Sequence, residues 1–274
     1  RSAGERSREV KGREDLRELL VMTIDPVDAR DHDDALSLRH LPGGSREVGI
    51  HIADVSHFVE EGGTVDLEAL SRGTSVYLVD QVVPMLPHVL SSDLCSLREG
   101  EDRMALSLFV EFGPSGEVKG HRFSESIVRT RHGLHYQQVQ GVLDGTESVN
   151  PEVDAVLREL SELAGILRRR RRKRGSLDFD LPEARVVLDA EGVPLEINRV
   201  VQLESHRLVE DFMILANEVV ATELERREIT VPFRVHESPR DDRLEALVEF
   251  LGTMGHRVGR KKLGPRDLQR ILDE

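Results

Sequence analysis

Five aspartates, Asp25, Asp28, Asp31, Asp33 and Asp34, fall within ten residues of the segment TIDPVDARDHDDALSL. Carboxylates crowded in this way repel one another unless a cation lies among them. Hard divalent cations such as Mg2+ take oxygen ligands, a few carboxylates completed by water and by substrate phosphate. A pair of such ions ~3.5–4 Å apart suits phosphoryl transfer, because it stabilises both the attacking and the leaving oxygen. The spacing excludes an EF-hand loop, since the sixth and twelfth positions counted from Asp25 are Arg30 and Leu36, not Gly and Glu. A solvated acidic turn stays open on the residues alone. A helix N-cap cluster employs one or two aspartates, not five.

The elements around the cluster must hold it as a loop. Pro26 and the many Asp residues disfavour a continuous helix, and the apolar runs VMTI and ALSL read as strands on either side. ALSLRHLPGGSREVGIHIADV reads as two strands turning at Pro42-Gly43-Gly44. In the second strand Val48, Ile50 and Ile52 alternate as a half-buried strand would. DLEALSR (66–72) reads as a short helix stopped by Gly73. A further hairpin turns at Gly113-Pro114-Ser115-Gly116, helices are expected near 135–144 and 151–174, and another hairpin turns at Glu191-Gly192. ESHRLVEDFMILANEVVATELERR is the strongest helix, with Leu208, Phe212, Leu215 and Val219 at helical spacing. Another helix begins at Arg240. Hairpins and long helices without strand–helix–strand alternation argue an α+β fold.

Composition bounds the rest. At 274 residues, 38% hydrophobic and 32% charged, the chain can bury a sizeable core in one large or two small domains. No run approaches the ~20 apolar residues of a membrane span, so no membrane partner is expected. One cysteine, Cys95, excludes an intrachain disulfide framework, fits a reducing compartment such as the cytoplasm, and reads as a small buried hydrophobe. The net charge of −13 argues at first against nucleic acid, but the distribution of charge matters more than its sum. The basic run RRRRRKR (168–174) is open between a backbone-phosphate contact and a solvated helix end. Residues 1–20 read as a polar linker or a remnant of a preceding domain. The opening RSAGERSREVKG has no initiator Met, and QRILDE reads as the middle of an amphipathic helix, so both ends read as internal to a longer polypeptide.

These motifs resemble, in order, those of the ribonuclease II and ribonuclease R family, the RNB-type exoribonucleases. After the acidic segment come VGIHIADVSHFV, RGTSVYLVDQVVPMLP, LSSDLCSL, GSLDFDLPE and ESHRLVEDFMILANE, and the RGTSVYLVD form is closer to the ribonuclease R branch. The resemblance implies a mixed, largely antiparallel sheet with packed helices, with residues 21–274 forming part of the catalytic domain. It implies a hydrolytic, Mg2+-dependent 3′-to-5′ exoribonuclease that degrades single-stranded RNA to 5′-nucleoside monophosphates, Mn2+ being a substitute metal. It places the metal-holding acids at Asp25, Asp31, Asp33 and Asp34, with Asp33 the most critical for cleavage.

His32 stands where the family often carries Phe or Met. Tyr77 and Tyr136 match RNA-contacting aromatics, and Phe179 matches the other side of a clamp around the 3′ base. Pattern alone would put Tyr77 in the core, whereas Phe179, between Asp178 and Asp180, suits an exposed stacking role. Glu210 matches a substrate-contacting acid, with Asp211 as the competing alignment. His51 and His206 read as structural histidines. The family also carries flanking OB-type RNA-binding domains and a closing segment with a phosphate-contacting arginine, which lie outside these residues. The competing expectation is therefore a catalytically incomplete, RNA-binding fragment.

Overall fold

A computed structural model describes residues 12–177, 183–189, 191–235, 237–256 and 264–272. The first strand, β1 (Glu14–Asp15), is followed by β2 (Val21–Asp25), β3 (Asp34–His40) and β4 (Arg46–Ala53). The turn between β3 and β4 falls at Pro42-Gly43-Gly44, where Gly43 and Gly44 have φ of 76° and 78°, a region that favours glycine. A short helix α1 (Val55–Phe58), helix α2 (Thr64–Arg72) and a small hairpin of β5 (Val76–Tyr77) and β6 (Val82–Val83) come next. Two long strands, β7 (Asp102–Phe112) and β8 (Val118–His135), complete the main sheet. Helices α3 (Tyr136–Asp144) and α4 (Pro151–Arg174), the hairpin β9 (Glu183–Leu188) and β10 (Pro194–Val200), then α5 (Glu204–Arg226), α6 (Asp241–Thr253) and α7 (Pro265–Leu272) follow.

The sheet runs β1-β8-β2-β3-β4-β7, and β7 also pairs with β8. The long β8 makes this possible: Val118–Arg129 lies antiparallel to β7, while Thr130–His135 lies parallel to β2. Strands β8, β2, β3, β4 and β7 therefore form a closed circuit in which only the β2–β8 pairing is parallel. The result is the expected mixed, largely antiparallel sheet with packed helices.

Closure corrects one expectation. Strand β4 is not half-buried: Val48 and Ile50 pack with helices α3 to α5 in one core, and Gly49 and His51 on the other face are buried too. Inside the circuit small residues lie beside the buried Phe109, whose ring meets the His51 ring edge-on with centroids 5.7 Å apart. Ser37, Ser107 and Ser126 surround the His51 imidazole, which burial pushes down to about 3, so the ring is neutral. The Ser126 hydroxyl donates to the Ala105 carbonyl at 3.1 Å and so accepts from Ser107 Oγ at 2.6 Å. Ser107 must then accept from His51 Nδ1–H at 2.7 Å, which leaves Nε2 to accept the Ser37 hydroxyl at 2.9 Å. Every member of this buried chain is satisfied in one direction only.

Residues 1–11 lie outside the described residues, but the linker expectation ends before residue 20. Glu14 and Asp15 pair with Ser126 and Ile127 of β8, Leu16 is buried, and Arg13 pairs with Asp54 at 2.5 Å. The helices follow local signals. Asn150 caps α4 by accepting the Val153 N–H at 2.9 Å, Pro151 takes the first turn, and Gly175 ends it at φ 109°. Leu208, Phe212 and Leu215 of α5 are buried on the helix-side core. Among the described residues no helix is long and apolar enough to cross a membrane.

Candidate active site

The acidic segment leaves β2 at Asp25 and enters β3 at Asp34, so strands hold both ends. The parallel pairing of β2 with β8 sets Asp25 opposite His135, and Tyr136 then opens α3 beside it. Antiparallel pairing sets Asp34 opposite Ile52, and the Ala53 N–H donates to the Asp33 carbonyl at 2.9 Å. The aspartates thus gather at one end of the closed sheet.

Their electrostatics record the crowding. Asp34 is pushed up to about 6, first by burial and then by the charges of Asp25 and Asp33. Asp33 is raised by burial and then by Asp31 and Asp25. His32 gives partial compensation: its Nδ1 lies 2.7 Å from Asp25 Oδ2, and that hydrogen bond is the main cause that holds its pKa above the ordinary value. Sequence reasoning had treated His32 only as a tolerated replacement.

Among the described residues no three His, Cys, Asp or Glu side chains converge as a ready metal cage. The four predicted ligands share one electrostatic field without sharing one centre. This donor set nevertheless fits a hard divalent cation. It offers carboxylate oxygens whose repulsion a cation would relieve, and Mg2+ keeps water and takes substrate phosphate beyond one or two carboxylates. It does not resemble a closed structural zinc site.

Asp31 and Asp33 line a cleft of about 310 Å³ with Ile52, Tyr77, Met85 and Cys95. Burial pushes the Cys95 thiol up to about 11, in keeping with the expected inert hydrophobe. Tyr77 departs from its core pattern. It is 68% exposed on the β5–β6 hairpin, and its phenol is raised by desolvation, by the charges of Asp31 and Asp33, and by a hydrogen bond with Asp31. A two-stranded ribbon this short has no face to bury, so its apolar side chains stay out.

Tyr136 sits on the other side of the acids. Burial, then the charges of Asp25 and Asp34, push its phenol up to about 12. Its ring stacks on His206, centroids 4.0 Å apart at 21°. His206 also accepts the Leu203 N–H at 3.0 Å through Nδ1, so the histidine read as structural both caps α5 and backs the tyrosine.

Glu210 and Asp211 differ in their surroundings. Asp211 is 1% exposed and accepts from Arg168 at 3.0 Å and Arg171 at 2.6 Å. Glu210 is exposed and meets Gln202 Nε2 at 3.3 Å. The basic run is thus neither of the two readings in full: Arg168, Arg171 and Arg174 tie α4 to α5 through Asp211 and Glu218. Glu210, Arg168 and Arg171 line a second cavity of about 240 Å³. Phe179 falls outside the described residues.

A closed, largely antiparallel sheet with an acidic rim, backed by a helix layer, is the architecture of a known nucleic-acid-processing family. Residues 13–274 match the RNB domain, and the chain belongs to that family. It is 40% identical over 270 residues to ribonuclease R of Aquifex aeolicus, covering 97% of this chain and 38% of that protein. It is 40% identical over 274 residues to ribonuclease R of Thermotoga maritima, covering 98% and 38%. Mycoplasma genitalium RNase R in complex with ribose methylated single-stranded RNA superposes with a TM-score of 0.90 at 29% identity, covering 98% of this chain and 42% of that one. The chain thus spans little more than a third of the length of these relatives.

Proposed function

We propose that this chain carries the catalytic acids of a hydrolytic, Mg2+-dependent 3′-to-5′ exoribonuclease that degrades single-stranded RNA to 5′-nucleoside monophosphates in the cytoplasm. The observation that carries this reading is the gathering of Asp25, Asp31, Asp33 and Asp34 at one sheet end, with Asp33 and Asp34 raised by burial and then by neighbouring carboxylates. The family, and a relative bound to single-stranded RNA, supply the substrate class.

Asp25, Asp31, Asp33 and Asp34 would hold the metal, Mn2+ serving as a substitute, and Asp33 is the acid on which cleavage depends most. When bound, the cation supplies activation of water and stabilisation of the leaving 3′-oxygen. Tyr136, held between the acids and His206, would stack on a 3′ base, with Phe179 as its partner across the base. Such stacking contributes ~1–3 kcal/mol per base and accepts any sequence. Tyr77 would contact RNA beside Asp31, and Glu210 would contact it from α5. We read residues 21–274 as part of the catalytic domain, with β1 and Leu16 extending its sheet.

The test is to incubate the chain with single-stranded RNA in Mg2+, Mn2+ or chelator and to look for mononucleotides. Asp33→Asn keeps the shape of the side chain and removes a charge. It is expected to bind RNA like the parent and to lose at least ~10²-fold in rate, the scale of one lost electrostatic stabiliser. RNA binding without hydrolysis by the parent, in either metal, would favour the incomplete binding fragment.

A further inference from the structure

One matched segment, LSSDLCSL, carries no chemistry in the reading above, yet it touches the acidic loop at two residues. The Ser96 side chain is fully buried. Its hydroxyl donates to the Arg30 carbonyl at 3.0 Å and accepts the His32 N–H at 3.1 Å. These two main-chain groups flank Asp31, so one oxygen bridges the loop from one side of that aspartate to the other. The next residue adds a third tie, Leu97 N–H donating to the His32 carbonyl at 2.8 Å.

The bridge is itself anchored to the sheet. Arg103 Nε of β7 donates to the Ser96 carbonyl at 2.9 Å, and Thr130 Oγ1 of β8 donates to the Leu97 carbonyl at 2.8 Å. The Ser96 N–H donates to the Asp93 carbonyl at 3.0 Å. On the far side the loop meets β4 through Ala53 and Asp33. Asp31 and Asp33 therefore take their positions from three strands they do not belong to, β4, β7 and β8, and Ser96 transmits one of those references. A loop of mutually repelling carboxylates has no internal reason to stay in one conformation, so an external fastening is what a metal-binding geometry requires.

We propose that Ser96 is a positioning residue for the acidic loop: its hydroxyl fixes the backbone on both sides of Asp31 and so presets the metal-holding carboxylates. The proposal rests on the metal reading above. Ser96 lies one residue from Cys95, which lines the cleft.

The test uses the 274-residue chain, with Mn2+ alone as the first probe and RNA as the second. Ser96→Ala removes one oxygen and leaves the Arg30 carbonyl and the His32 N–H without it. Hydrogen exchange at the His32 amide is expected to accelerate at least ~10-fold, as local opening of that loop becomes easier. Mn2+ affinity is expected to fall ~10–100-fold, the range for removing a group that orients a ligand. In RNA hydrolysis the loss should appear in kcat, with KM little changed. Ser96→Thr retains the hydroxyl and should restore Mn2+ affinity.

A Ser96→Ala chain that binds Mn2+ as the parent does overturns the positioning role and leaves the metal reading standing. Equal impairment of Ser96→Ala and Ser96→Thr, with lowered melting temperature and raised KM, makes Ser96 a packing residue and also overturns it. A parent chain that binds no Mn2+ overturns the metal reading and the proposal together.

Discussion

Asp34 shows at a single side chain how a site of this kind strains its own fold. Its pKa of about 6 lies above the ordinary 3.8 because burial and the charges of Asp25 and Asp33 disfavour the carboxylate. Between those two values the folded chain binds more protons than the unfolded one, so stability falls as pH rises through this window and the cost persists at pH 7. Asp34→Asn removes the charge in nearly the same shape. Without metal it is expected to stabilise the fold at pH 7 by roughly 1–3 kcal/mol, the free energy of a shift of about two units. The gain should vanish below pH 4, where the parent acid is protonated, and urea midpoints at the two pH values measure it. With Mn2+ present the order should reverse, since the parent gains ligand binding that the variant lacks.

At the scale of elements, two features depend on packing across strands and helices. Inside the closed sheet, a Cβ at Gly49 would meet the Ser37 hydroxyl and lie 2.7 Å from His51 Nε2. Gly49→Ala must therefore displace the Ser37 end, the donor end, of the buried chain that runs to the Ala105 carbonyl. It is expected to destabilise by about 1–3 kcal/mol, the usual cost of overpacking, and thermal or urea melts check this. Between α4 and α5, Asp211 neutralises Arg168 and Arg171 where all three are largely buried. Asp211→Asn takes this carboxylate from Arg171 and leaves Arg168 only its pairing with Glu204 at 2.9 Å, and is expected to cost about 3 kcal/mol. Glu210→Gln, one residue away and exposed, should change stability by less than ~0.5 kcal/mol. If Glu210 contacts RNA, its variant alone should weaken binding at unchanged stability, so the adjacent acids separate by stability against affinity.

For the whole molecule, the boundary of the folded unit is the quantity at issue. Arg13 pairs with Asp54, Glu14 accepts from Arg122 at 2.7 Å, and Leu16 fills the second core beside Val21 and Val128. A chain starting at residue 13 should melt like the parent. One starting at residue 21 loses β1, a buried leucine and the ion pairs of Arg13, Glu14, Arg17 and Glu18 with Asp54, Arg122, Asp102 and Arg131, and should lose about 3 kcal/mol or more, since deletion of a buried leucine side chain alone costs about 2–5. Equal urea midpoints for the two truncations would restore residues 13–20 to the status of a linker.

What the amino-acid order determined by itself was whatever short-range chemistry encodes. Turn glycines at 43 and 44, the Asn150-Pro151 start and Gly175 stop of α4, the apolar spacing of α5 and the crowding of aspartates between two apolar runs are all properties of neighbours in the chain. Tertiary structure alone decided the rest. Closure of the sheet depends on β8 switching partners at residue 130, and no local pattern announces a parallel pairing between segments more than a hundred residues apart. That closure buried both faces of β4, where alternation had implied one. The same pairing brought Tyr136 to Asp25, and helix packing gave the basic run its partner in Asp211. Tyr77 carries a core residue's pattern but is exposed on a short hairpin, where it reaches Asp31. Periodicity says which face of an element is apolar; only the assembled molecule decides what, if anything, covers that face.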